Sequence, residues 1–531
     1  MAAMLATAAV CAPAALATTE RASVSSGQAQ AKGSSGQPAV SADGRFVAFV
    51  SHATNLVPGD VNGQEVFIRD LRDGSTERVA VNQAGSQATR ASNHPAVSAD
   101  GRFVAFESIA ANLISGDTNG REDVFVKDRL TGAVDRVSVT STGKQALASS
   151  GRPAISADGR FVAFESSASL VPDDTNRYGD AGSVGDVFVH DRVTHVTERV
   201  SVDSTGGEVA DGSGSPSISA DGRLVGFVAP VAGLVAGDTN GLQDAFVHDR
   251  DTGATERVSV DSTGRQTDSW SGPPQMPTEG SLVAFTSNAS NLVPNDANGA
   301  PDIFLRDQRG GRTTRASLDA GGGEANGANQ LATISADGRV VAFTSSASDL
   351  VAGDGNGLDD VFIRELASGR TRRVSVGNTA DEANGPSGRW FDGLSGRGIL
   401  SADGSMTAFD SEASNLVLGD TNGYVDAFTR RELFKPATVT APRISGTSAQ
   451  GSTLAGSRGV WAGTPTIAFV YQWQRCDGLG QNCRSIAEAH QADYSVGAGD
   501  VGHRLRFRVR ATNDAGPAWR SSAATKAITV P

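Results

Sequence analysis

Ser41-Ala-Asp-Gly-Arg-Phe-Val-Ala-Phe49 is the stretch that decides the fold, because the chain writes it seven times. It returns as Ser98 to Phe106, Ser156 to Phe164, Ser219 to Phe227, Ser335 to Phe343 and Ser401 to Phe409, with local substitutions. A worn copy, Pro277-Thr-Glu-Gly-Ser-Leu-Val-Ala-Phe285, fills the gap. Successive Asp positions, with Glu279 in the worn copy, lie 57, 58, 63, 58, 58 and 66 residues apart. A near-constant period of this length means one supersecondary unit used repeatedly.

The unit around the second copy reads as four strands. Pro95 to Ser98 is a short apolar strand, and Asp100-Gly101 is a hairpin turn in which Gly supplies a positive φ. Phe103-Val-Ala-Phe106 is a continuous apolar run, the pattern of a strand buried on both faces. The polar loop Asn112 to Gly120 leads to a third strand, Asp123 to Asp128. After the turn Thr131-Gly132, Asp135 to Val139 alternates as an outer strand with one wet face does. Four antiparallel strands make one propeller blade.

The outer strand carries Arg in every copy: Arg21, Arg78, Arg136, Arg199, Arg257, Arg315 and Arg373. Charge there is expected to blunt an exposed edge. The third strand carries a base in every copy, so His190 and His248 occupy slots filled elsewhere by Arg and Lys and read as structural rather than as a catalytic pair. The outer-strand pattern occurs first as Glu20-Arg-Ala-Ser-Val24, before any other strand, and the last unit ends without one. The expected fold is therefore all-β: a seven-bladed propeller over residues 18–433, closed by the N-terminal strand.

The block resembles the TolB-type propeller repeat, whose hallmark is a Ser-Pro-Asp-Gly-like turn before an apolar strand; Asp123-Val124-Phe125, Asp186-Val187-Phe188 and Asp302-Ile303-Phe304 match that family's later strand. The resemblance implies a propeller fold. Here Ala replaces Pro in the turn, and the α/β domain that precedes the propeller in TolB is absent, so TolB's partner is not carried over. After a linker at 434–441, residues 442–531 lack the repeat and resemble bacterial Ig-like β-sandwich modules. Tyr471-Gln-Trp473 alternates around a buried Trp, and Asp500-Val-Gly502 resembles the corner before strand F, with Leu505, Phe507, Val509 and Ala511 facing the core. No charged or aromatic cluster stands out in this module, which favours a spacer.

Residues 1–17 end in Ala15-Leu-Ala17 and read as a signal peptide. The expected location is secreted, periplasmic or cell-surface, and no later apolar run is long enough for a membrane span. Cys476 and Cys483 are then the remaining cysteines, and in an exported chain they are expected to form a local disulfide. A net charge of -13 argues against nucleic acid as a partner.

Two features carry candidate chemistry. The loops between second and third strands repeat Asp-x-Asn-Gly, followed by an acid: Asp60 and Asn62; Asp117, Asn119 and Asp123; Asp238, Asn240 and Asp244; Asp420, Asn422 and Asp426. Oxygen ligands at positions 1 and 3 resemble the start of a calcium loop, although the acid at position 12 would lie ~17 Å away along a strand. The alternative is an Asx-turn with Asn-Gly in left-handed φ. Calcium is the one cofactor considered. Second, Tyr178, Trp270, Trp390, Phe391 and Tyr424 all fall in loops that alternating strand direction brings to one end of the ring, as ligand-binding candidates; the alternative is that they cover the blade tops.

The chain has no Gly-x-Ser-x-Gly, no His-Glu-x-x-His and no P-loop. The expected function is an exported, monomeric, non-enzymatic binding protein that takes a protein, peptide or glycan on the loop face. A propeller carbohydrate-active enzyme, lyase or glycosidase, would instead place two facing carboxylates in the axial channel. A structural cell-envelope component is the third class.

Overall fold

The computed structural model describes residues 17–61, 63–174, 185–208, 212–230, 233–278, 280–388, 398–464 and 466–531. The chain divides into two compact units, Thr18–Arg431 and Glu432–Pro531. None of the described helices is long and apolar enough to cross a membrane.

In the first unit the second repeat forms strands Ser92–Val97, Phe103–Ser108, Asp123–Asp128 and Val134–Arg136, hydrogen-bonded in that order. The described residues hold seven such antiparallel sheets. The fifth has three strands, with its first strand reduced to the bridges Ser271–Ser287 and Gln275–Ala284. Pro273 and Pro274 stand between those bridges and have no N–H to offer a ladder. The N-terminal strand Thr18–Arg21 pairs with Asp426–Arg431, Thr19 opposite Arg430, and completes the last sheet. Each sheet is centred on one Phe pair from its second and third strands, such as Phe106 and Phe125 with centroids 5.9 Å apart.

Three contacts join neighbouring blades. Gly101, at φ 72°, lies so close to the Phe46 ring that a Cβ there would sit 2.1 Å from it. The Ala of the turn donates its N–H to the same Ala carbonyl one blade on: Ala42 to Ala99 at 3.0 Å, Ala99 to Ala157 at 2.9 Å, Ala157 to Ala220 at 2.9 Å, and Ala402 back to Ala42 at 2.9 Å. This girdle explains why Ala stands where the resembling repeat has Pro: proline has no hydrogen to donate. Third, the bases of the third strand are anchored to outer-strand threonines, except Lys127, which opposes Val134 and donates to Gly132 O at 2.8 Å. His190 Nδ1 lies 2.8 Å from Thr197 Oγ1, whose hydroxyl donates to Val139 O of the preceding blade; His248 and Thr255 repeat this with Val202 O. Burial pushes His190 down to about 4 and lowers His248 as well. Both rings are therefore neutral seam residues.

In the second unit, a sheet of Arg443–Ser445, Thr453–Ser457 and Asp493–Ser495 and a sheet of Arg484–Ser485, Ala468–Cys476, Arg504–Asn513 and Gly516–Ser521 share one core. That core contains Leu454, Trp473, Leu505, Phe507, Val509 and Ile528. Asp500 accepts hydrogen bonds from Arg475, Tyr494 and the Gly497 N–H, which fixes the corner before the Arg504 strand. Cys476 and Cys483 form the disulfide. Residues 434–441, expected as a linker, are folded into this unit. Ala437–Thr440 pairs with Val460–Ala462, and buried Phe434 donates its N–H to Thr464 Oγ1 at 2.6 Å. The physical reason is that Phe434 buries an aromatic ring and Ala437 to Thr440 carry β-branched residues, a better strand than spacer.

Candidate binding site in the axial channel

The first strands of the blades line an axial cavity of about 620 Å³. Each regular first strand is interrupted by a bulge at the same place, as between Gly36 and Ala39, Asn93 and Ala96, Gly151 and Ala154, and Gly214 and Ser217. At the bulge a non-glycine residue takes left-handed φ: Gln37 at 52°, His94 at 48°, Arg152 at 49°, Ser215 at 53° and Leu331 at 59°. Each such residue costs about 1–3 kcal/mol and persists only where its surroundings hold it. Proline follows in the first four, which withdraws one ladder donor and fixes the bulge.

Acids on the second strands hold the bulges from the preceding blade. Glu107 accepts the Arg152 N–H at 2.9 Å, and Glu165 accepts the Ser215 N–H at 3.0 Å. Gln37 Oε1 accepts the His94 N–H at 3.0 Å. The side chains interlock too: His94 Nδ1 lies 2.8 Å from Glu107, Arg152 Nε lies 3.3 Å from Glu165, and Arg152 Nη1 donates to Ser215 Oγ at 3.0 Å. Burial alone would raise the Glu107 carboxyl, but the His94 and Arg152 contacts outweigh it and hold Glu107 below its ordinary value. Asp410, at the matching strand position, has a different environment, and complete burial pushes it up to about 7.

Of the expected aromatic residues, Trp270 lines the cavity and is 40% exposed. Tyr424 is 46% exposed on its loop and is not part of the cavity wall. Tyr178, Trp390 and Phe391 lie outside the described residues. Sequence reasoning missed Gln37, His94, Arg152 and Ser215. The available signal was an X-Pro pair recurring at one repeat position inside a strand, which marks a bulge.

The Asp-x-Asn-Gly loops hold their acids against a cation that the chain itself supplies. Arg136 lies 3.5 Å from Asp117 and 3.3 Å from Asp123; Arg257 meets Asp238 and Asp244, Arg21 meets Asp420 and Asp426, and Arg78 meets Asp60 and Glu65. Contrary to expectation, these outer-strand arginines do not blunt an exposed edge; their side chains are buried at no more than 10% exposure. The guanidinium needs both acids to leave water, because a buried charge is tolerated only when paired. Asn119 makes the Asx-turn, accepting the Arg121 N–H on Oδ1 at 3.0 Å while its Nδ2 donates to Asp123 and to Ala146 O. Asn240 and Asn422 do the same, whereas Asn62 lies outside the described residues. Among the described residues, two groups of three close acids, Asp174 with Asp186 and Glu208, and Asp296 with Asp302 and Glu324, surround Arg199 and Arg315. Burial pushes Asp174 and Asp302 up to about 6. A calcium ion at any of these loops would have to displace a guanidinium.

No family model and no curated protein matches the chain. Solved structures do. TolB from Acinetobacter baumannii is 16% identical with a TM-score of 0.32, covering 53% of this chain and 54% of that one. The chain thus spans about half the length of that TolB. Oligogalacturonate lyase from Vibrio parahaemolyticus is 9% identical with a TM-score of 0.48 over 78% of this chain and 97% of that one, and the Dos1 propeller is 12% identical with a TM-score of 0.37 over 78% and 94%.

Proposed function

We propose that the protein is an exported, non-enzymatic binding protein whose ligand, a glycan or peptide segment, enters the axial cavity past Trp270. One observation carries this: five bulge residues held in left-handed φ converge on one cavity, and four of them bear polar side chains. Strain repeated at a concave surface is the signature of a preorganised site. A volume of about 620 Å³ is in the range of pockets that enclose a small ligand or one end of a longer chain. Trp270 supplies an aromatic face, while Gln37, Arg152 and Ser215 supply hydrogen bonds of fixed direction.

The carbohydrate-active alternative needs a carboxylic acid with a proton to give and a second carboxylate free to act on the substrate. Glu107 is held ionised by His94, and Glu165 is engaged by Arg152 and the Ser215 N–H. That saturation favours binding over general acid–base chemistry. Glycan and peptide arrays on the purified chain, followed by titration of any hit against Trp270→Ala and Arg152→Ala, test the proposal. At least a tenfold loss in one variant is expected. Undiminished binding in both, turnover of the hit, or arrays without a hit would each count against it.

A further inference from the structure

The second unit carries a charged face that its sequence disguises. Lys and Arg outnumber Asp and Glu two to one over residues 442–531, against a net charge of -13 for the whole chain. Strand Arg504–Asn513 sorts them: Leu505, Phe507, Val509 and Ala511 are fully buried, so Arg504, Arg506, Arg508 and Arg510 stand in file on the other face. Six strand residues span about 20 Å, which spaces the four arginine positions along the backbone at roughly 7 Å intervals. Cross-strand register sets Gln474 beside Arg506, Ser521 beside Arg508 and Trp519 beside Arg510. The Arg508 guanidinium lies 4.2 Å from the Trp519 ring centroid and Arg510 5.4 Å.

Among the described residues no carboxylate pairs with Arg506, Arg508 or Arg510, and the Nε atoms of Arg506 and Arg510 are shielded without an acceptor. Asp500, the buried acid of this unit, is taken by Arg475. The row therefore differs from the outer-strand arginines of the first unit, each of which is enclosed by its own acids. Four cations at alternate positions of one strand, Arg504 donating to the Gly478 carbonyl at 2.8 Å and the other three without a carboxylate partner, complement a polymer that repeats an acid along its length, and Arg binds carboxylate and phosphate oxygens bidentately.

We propose that this sheet face docks a linear acidic polysaccharide, carrying carboxylate or phosphate groups, across Arg504, Arg506, Arg508 and Arg510. A polysaccharide fits better than nucleic acid for two reasons. Two guanidiniums sit over the Trp519 ring, so no clear aromatic platform is left for bases. The described residues of this unit also hold no α-helix to lie in a major groove, and the arginine row runs on an inner strand of the sheet rather than on a two-stranded ribbon.

The test measures retention of the full-length chain on immobilised alginate (carboxylate) and poly(glycerol phosphate), with neutral dextran and oligo-dT alongside. The chain should bind at least one acidic glycan polymer, release as salt rises from about 50 to 200 mM as screening and counterion release require, and leave dextran unbound. The two acidic polymers distinguish carboxylate from phosphate. Arg506→Gln/Arg508→Gln should weaken binding at least tenfold, while Arg443→Gln/Lys526→Gln, which removes the same charge elsewhere, should change it less than threefold. Arg506→Lys/Arg508→Lys keeps the charge and the fold and should fall between. Equal binding to dextran, preference for oligo-dT, salt-sensitive self-association without glycan retention, equal loss in both Gln pairs, or wild-type binding in both Arg506/Arg508 pairs would overturn it.

Discussion

Arg315→Ala tests whether the guanidinium is the structural cation of its loop. Arg315 lies 2.9 Å from Asp296, 3.2 Å from Asp302 and 3.0 Å from Glu324, and its side chain is 6% exposed. Removing it leaves three carboxylates whose oxygens lie within 4.8 Å of one another. Breaking a buried pair by deleting one partner costs about 3–5 kcal/mol. At about 2.1 cal/mol/K per residue, a unit of roughly 400 residues loses about 1 °C of Tm per kcal/mol, so a fall of roughly 3–6 °C is expected at pH 8. The sign with pH follows from Asp302, which burial already pushes up to about 6 with Arg315 present. Without Arg315 it rises further, and a carboxyl raised in the fold stabilises at low pH and loses that contribution as pH rises through the raised value. The deficit should therefore shrink at pH 5. Millimolar calcium should restore the variant's Tm, since the vacated acids then form an oxygen-ligand site, and should leave the wild type unchanged. Differential scanning calorimetry of both proteins, with calcium and with EDTA, reads all of this. A wild-type melt raised by calcium, or a variant melt unchanged at pH 8, refutes the assignment of the cation.

Two further perturbations separate the seams from the channel. Ala99→Pro removes the N–H that reaches Ala157 O at 2.9 Å and places a ring carbon against that oxygen; the lost bond and stranded carbonyl cost about 1–3 kcal/mol, offset by about 0.4–1 kcal/mol from a stiffer unfolded chain. Urea midpoints should show net destabilisation, and a more stable variant would mean the girdle contributes nothing. Asp410→Asn addresses the carboxyl raised to about 7 by burial: against an unfolded value of about 3.9, roughly 4 kcal/mol of stability is lost between pH 4 and 7, at about 1.4 kcal/mol per unit. The variant should melt higher than wild type at pH 8 and not at pH 4, and parallel pH profiles for the two would exclude Asp410 as the source.

The architecture was legible because it is periodic. Six copies of Asp-Gly and one of Glu-Gly before an apolar run give turns and buried strands, and Glu20 to Val24 standing ahead of its blade gives closure. What periodicity hid was the direction of side chains. An Arg at one outer-strand position looks the same on an edge as between two acids, because the acids come from elsewhere in the chain, as Asp117 and Asp123 do for Arg136 and Asp420 and Asp426 do for Arg21. The row Arg504 to Arg510 was likewise visible as letters, but its lack of partners depends on which residues oppose it across the sheet. Tertiary pairing, not local pattern, decides whether a charge is structural or available.

The proposed site lies where the repeat relaxes. Each blade must keep its Phe pair, its turn glycine and its arginine between acids, since loss of any one opens a seam or strands a buried charge. No such constraint acts on the bulge residue or on the acid position of the second strand. The former is Gln37, His94, Arg152, Ser215 or Leu331; the latter is Val50, Glu107, Glu165, Val228, Thr286, Thr344 or Asp410. A ring held together only by its repeated contacts would tolerate the same small apolar residue in all these places. Instead Gln37, His94, Glu107, Arg152, Glu165 and Ser215 form a connected polar network across four consecutive blades. Such a network rigidifies directional donors at a concave surface, and its asymmetry gives a symmetric scaffold one ligand orientation. A ligand that recognises this site should therefore be sensitive to changes in blades one to four and indifferent to Leu331 on the far wall.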